Sequence, residues 1–408
     1  MKQLLPYFRP LLIASIIMLV HPAFGPGSEP DFEKLWKLAE KHRWDGLPKS
    51  ALDVVEQIRL KAMETNNQPE LLRTIIYRIS LTQETEEDHL ESSIKFVLGQ
   101  LGLMKQPERQ ILHSVVAELY WFYYQQNRHE LLDRTTLASN TSDDIAEWDV
   151  PKLRKTILDH YALSLENKDI LRSIPVSDYS GIILLEKDSK QLQPFLYDFL
   201  AHRALDFYTA EEAGFTAPGR SPDFFHPTTG KNILFAPVRD FVRNILPPGE
   251  YTGSRALRLF QELQFFHLTT GLPETLTRNE LKRLKLALQL SSGLPNHEQE
   301  YLNALENLQS DIAQWPVSAL VAHERAVFLM GRRQQPVPFD DLDEKRFSLS
   351  QAREIALAAI AAYPDSEGAQ HCRLVVEQVE QKELGLQLQR VELPGREDVA
   401  DKVPYRCK

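Results

Sequence analysis

The sequence predicts an all-α fold. Apolar residues recur at helical spacing in segment after segment of the 408-residue chain, the pattern of helices that each bury one stripe. Turn formers such as Gly46-Leu47-Pro48 fall between these segments rather than within them. A central stretch, Pro194 to Tyr208, places Phe195, Leu196, Phe199, Leu200, Ala204, Leu205 and Tyr208 on one broad face. Such a face needs other helices packed against it, with Pro194 suited to the first helical turn.

In chain order, Asp31 to Arg43 reads as a helix with Phe32, Leu35, Trp36 and Ala39 on one side. Ser50 has the chemistry of an N-cap for a second helix carrying Leu52, Val55, Ile58 and Ala62. A third spans Pro69 to Leu81, and a fourth Glu86 to Leu103. Arg109 to Gln126 contains Tyr120-Trp121-Phe122-Tyr123-Tyr124, apolar nearly all round, so core packing is expected over an exposed ligand platform. A helix at Pro151 to Leu165 follows the polar break Ser139 to Asp144. Ile182 to Leu185 is too short to read as strand or helix.

Beyond the central helix, Phe215 to Pro237 is a proline- and glycine-punctuated loop. Its Phe224, Phe225, Ile233, Leu234 and Phe235 point to a segment draped over helices. Helical patterns then return at Arg255–Leu268, Thr275–Leu290, Glu298–Gln314, Val317–Arg332, Leu349–Tyr363 and Gly368–Leu384. Ala352, Ala356 and Ala359 are small where paired helices approach closely, and Pro364 ends their helix. This is helix–turn–helix packing of the tetratricopeptide kind, although the loops do not keep the period of about 34 residues.

Net charge is −10, and losing Lys2 and Arg9 with the first 25 residues would make it −12. That acidity argues against nucleic acid or an anionic membrane as partner. The first 25 residues read as a secretory signal: a basic start, the short apolar core Leu11 to Val20, and Ala23-Phe24-Gly25 as a cleavage site. The core falls short of the roughly 20 residues that span a bilayer. Two cysteines, Cys372 and Cys407, cannot make a disulfide framework, and Cys372 lies in an apolar helical pattern as a small core residue.

Catalytic constellations are incomplete. His129-Glu130, His297-Glu298 and His323-Glu324 are each followed, four residues after the histidine, by Asp133, Tyr301 and Val327, so none supplies the second histidine of a zinc protease. Glycine loops for phosphate and a G-x-S-x-G elbow are missing. Glu377 and Gln378 have the wrong spacing from Cys372 for an internal thioester. Asn140-Thr141-Ser142 matches a sequon, to which no meaning is attached. Asp198, His202 and Asp206 stack at i, i+4 and i+8 and have metal-ligating chemistry; the expectation is side-chain hydrogen bonding along the edge of the central helix. No catalytic, metal or cofactor-binding residue is assigned, and no cofactor or enzymatic activity is expected.

Several stretches together resemble the N-terminal helical region of large bacterial alpha-2-macroglobulin-like proteins. Pro194 to Phe215 carries most of the resemblance. Leu35-Trp36 with Gly46 to Val55, Trp148 with His160-Tyr161-Ala162 and Ser164-Leu165, Phe235-Ala236-Pro237 and Glu392-Leu393-Pro394-Gly395 support it. The resemblance covers about residues 31 to 406 and contains no catalytic motif. It implies an exported scaffold, in the periplasm, cell envelope or outside the cell. In that family a bait region, macroglobulin-like β-sandwiches and often a thioester domain follow this region and trap proteases; such parts would lie beyond Lys408, as in a truncated product.

The expected organisation is a signal peptide at 1–25, an N-terminal helical region at 26–214, a long irregular loop with a short helix at 215–253, a tetratricopeptide-like helical region at 254–390 and an extended tail at 391–408. The expected partner is a protein or the further macroglobulin-like domains, with membrane contact only through an uncleaved signal segment. The alternative is a freestanding tetratricopeptide-like protein-binding scaffold of the cell envelope.

Overall fold

A computed structural model describes residues 30–86, 89–133, 142–184, 189–210, 233–244, 246, 252–331 and 342–381. The signal segment, most of the 215–237 loop, Asn140-Thr141, Cys407 and the 391–408 tail lie outside the described residues. The fold is all-α, with no strand among the described residues and one isolated bridge, Pro175 to Phe195. The chain forms two compact units, residues 1–292 and 293–408.

The first unit opens with α1 (Pro30–Trp44), α2 (Pro48–Glu64) and α3 (Gln68–Thr85). Pro48, not Ser50, starts α2, because a proline at the first helical position loses no needed N–H. Asn67 caps α3, accepting the Glu70 N–H at 3.2 Å. Trp36, fully buried on α1, donates Nε1–H to Glu70 at 2.6 Å, and the Arg73 guanidinium lies 4.1 Å from its ring. Those two contacts lock α1 to α3 and give Glu70 a partner for its buried oxygen.

Next come α4 (His89–Gln100), α5 (Glu108–Asp133), α6 (Val150–Ser164) and α7 (Lys168–Ser173). The aromatic run on α5 is core, as its pattern predicts: Tyr120, Trp121, Tyr123 and Tyr124 are buried, with Phe122 half-buried. Ile182 and Ile183 sit in a turn after a 3₁₀ segment, not in a strand.

The central helix, α8 (Leu196–Thr209), starts two residues later than the sequence predicts. Pro194 precedes the cap, and its carbonyl accepts the Val176 N–H at 3.0 Å. Asp198 accepts the Phe195 N–H at 3.1 Å, which fixes Phe195 as the boundary. Helix α8 is enclosed by α5, α7 and α9 (Thr252–Thr270). Phe207 stacks on Tyr161 and meets Trp121 edge-on. Helix α10 (Pro273–Leu290) packs on α9, so the predicted boundary at 253/254 falls inside this unit.

The second unit contains α11 (His297–Asp311), α12 (Ser318–Gly331), α13 (Leu342–Ala362) and α14 (Glu367–Glu380). Ala352, Ala356 and Ala359 are buried against Ala322, Ala326 and Cys372, the small-residue packing their spacing predicts. Ser366 caps α14, accepting the Ala369 N–H at 3.2 Å. Cys372 is a free, buried thiol whose ionisation burial pushes up to about 11. No described helix is long and apolar enough to cross a membrane.

Candidate functional site: a buried polar seam on the central helix

The residues singled out on α8 do not share one site. A four-residue step advances about 40° around a helix of 3.6 residues per turn, so three such positions diverge. Asp198 is fully buried and faces α9, where His267 Nε2 donates to its Oδ1 at 2.8 Å. His202, 1 % exposed, faces α10, with its Nδ1 3.3 Å from Lys282 Nζ. Asp206 is exposed. The expected edge is therefore an interior seam over its first two members. No group of three His, Cys, Asp or Glu among the described residues converges on a metal position.

Burial governs the electrostatics. Desolvation holds the His202 imidazole well below the usual histidine range, with Lys282 and His267 adding in the same direction and neighbouring Asn279 opposing. Desolvation also lowers Lys282, against the pull of Asp206. Asp206 is raised because its neighbours partly desolvate its carboxylate despite its open face, with Lys282 and Arg203 opposing. His202 Nε2, both polar atoms of the Asn279 amide and Gln264 Oε1 are buried without a partner of good hydrogen-bond geometry.

Two constellations in this unit look chemical. In the first, Asp198, His267 and Thr270 follow the order of an acid–histidine–hydroxyl relay. Thr270 Oγ1, however, donates to the His267 carbonyl at 3.1 Å and lies 3.3 Å from Nδ1, beyond the usual reach of about 2.6–3.2 Å for a working base. With Asp198 and His267 both buried, the trio joins helices rather than presenting a nucleophile.

The second centres on Arg283, fully buried on α10. It makes a double bond-pair to Glu280, 2.7 Å from Nε and 2.5 Å from Nη2. It also donates to the carbonyls of Leu234 at 2.5 Å and Ala236 at 2.9 Å. Gln264 donates to Glu280 at 2.9 Å, and the Phe241 ring covers the guanidinium at 4.2 Å. Leu234 and Phe235 are buried there, so the end of the long loop does drape over α10; Phe224 and Phe225 lie outside the described residues.

A third polar contact joins α5 to α6. His113 and His160 bring their Nδ1 atoms to 3.0 Å, with ring centroids 5.1 Å apart. Tyr120 lies 5.9 Å from the His160 ring and stacks on Trp148. Desolvation lowers both imidazoles to about 4, with the other ring and Arg109 adding at His113 and Asp159 opposing at His160.

Sequence reasoning missed His267, Asn279, Lys282, Glu280 and Arg283. Only the Glu280-x-x-Arg283 spacing marks a local pair, and it does not reveal burial. No protein-family model matches the chain, and no curated protein or solved structure matches it.

Proposed function

We propose that this chain is a helical protein-binding scaffold, the N-terminal helical portion of an exported alpha-2-macroglobulin-like protein, and that it performs no chemistry of its own. The observation that supports this most is the use made of the polar residues on α8. Asp198 joins α8 to α9, and Arg203 joins α8 to α5 through Ser114 Oγ at 2.5 Å and Glu118. The described part of the stretch that carries the resemblance, residues 194–210, thus contains the central helix of a helical body, as befits a rigid support. A tetratricopeptide-like arrangement fits the small-residue packing of α12, α13 and α14.

The test is incubation of the purified chain with a broad-specificity protease. Simple digestion is expected. A heat- and SDS-stable adduct, or protease activity shielded from a large inhibitor, would overturn the reading.

A second reading, a freestanding tetratricopeptide-like scaffold of the cell envelope, draws on exposed apolar side chains such as Trp44 at 80 % and Phe265 at 62 %. Binding of unfolded peptides in preference to folded β-sandwich domains would favour it.

A further inference from the structure

We propose that His113 and His160 form a two-histidine site for a divalent transition metal of tetragonal preference, Cu²⁺ or Ni²⁺. The two rings come from different helices, α5 and α6, and are set opposite each other by the packing of those helices. Both rings are half-buried, neither sealed in the core nor free on the surface.

The donor set points to the class of ion. Two imidazole nitrogens completed by water oxygens are the mixed set that tetragonal Cu²⁺ and Ni²⁺ favour. Cu²⁺ also binds a given nitrogen–oxygen set more tightly than Zn²⁺ in the general order of divalent ions.

Without metal, one Nδ1–H donates to the other Nδ1, and the nitrogens point largely at each other. Metal entry needs a modest turn of both rings. It also needs the hydrogen on the donor Nδ1 to leave to solvent while Nε2 of the same ring takes one up. Charge and proton count are unchanged by that exchange, and both Nδ1 lone pairs become free. No third His, Cys, Asp or Glu among the described residues joins the pair, so water fills the other positions. Binding is consequently weaker than in a closed structural site. Arg109 opposes a cation here, and Asp159 favours it.

The experiment titrates Cu²⁺ into the full chain after treatment with chelator, followed by electron paramagnetic resonance. The first equivalent should show coupling to two imidazole nitrogens, and Zn²⁺ should compete poorly. His113→Gln and His160→Gln should each weaken that first equivalent at least tenfold. A His323→Gln variant, altering the other close ring pair (5.1 Å from His371), should not. Circular dichroism establishes that the variants fold; should either fail, the coupling pattern of the unaltered chain decides. A first equivalent without two-nitrogen coupling, or one bound equally well by the folded variants, would overturn the proposal and leave a hydrogen-bonded pair only.

Discussion

Asp198 of α8 accepts a 2.8 Å hydrogen bond from Nε2 of His267 on α9, and both side chains are sealed from solvent. The other oxygen of the same carboxylate accepts the Phe195 N–H at 3.1 Å. One side chain thus sets where the central helix begins and which helix it faces. Asp198→Ala leaves the buried His267 donor unpaired, at about 1–3 kcal/mol, and the part-buried Phe195 N–H as well, at a smaller cost. Asp198→Asn keeps an acceptor for one of them and should cost clearly less. Urea unfolding of both variants checks the order.

The apolar face of α8 makes a finer prediction. Leu200 is fully buried, whereas Phe199 is half-buried beside Arg203 in a shallow apolar recess with Ile76 and Ile183. The sequence pattern places both in the core, and Phe199 departs from it because the turn carrying Ile182 and Ile183 covers it only in part. Leu200→Ala should cost about 2–5 kcal/mol. Phe199→Ala should cost less than the full-burial value of about 3–5 kcal/mol. Thermal midpoints that rank Phe199→Ala as the more damaging would contradict this placement.

His202 makes stability depend on pH. Its folded pKa lies well below 6.5. Above about pH 6.5 the imidazole is neutral in both states and adds no pH dependence. Below that, the unfolded chain takes up a proton that the folded one refuses, so stability falls as pH falls. Denaturant midpoints measured at about pH 7.5 and 5.5 should therefore drop less in His202→Gln than in the parent. Equal drops would show that His202 is not buried as a neutral ring.

In the second unit, Gly368 lies directly against the backbone of α12. A Cβ there would sit 2.3 Å from the Ala319 carbonyl carbon and 2.3 Å from the Leu320 nitrogen. Backbone cannot move aside as a flexible side chain can, so Gly368→Ala should destabilise this unit by about 1–3 kcal/mol or more. Unfolding followed by Trp315 fluorescence would register the loss.

The helices were legible in the sequence because a buried stripe leaves a period, as at Phe32, Trp36 and Ala39. Starts were less so. Pro48 and Ser50 both resemble helix openings, and the start of α8 depends on where the Asp198 side chain turns. The polar seam was legible only by half. Asp198, His202 and Asp206 stand out as a ladder, yet nothing local says that His267 and Lys282 lie opposite. Those partners are 69 and 80 residues away. Periodicity carries no information about such pairings, and a polar residue on a helix reads as solvated until a neighbour covers it.

Hydrogen exchange of the α8 amides tests most directly the claim that this helix is the enclosed centre of the first unit. Peptides covering residues 196–209 should exchange only through global unfolding, with protection equal to the full stability measured in denaturant. Asp198→Ala should lower both quantities together. Exchange of α8 through local opening, faster than global unfolding and insensitive to Asp198→Ala, would contradict the account.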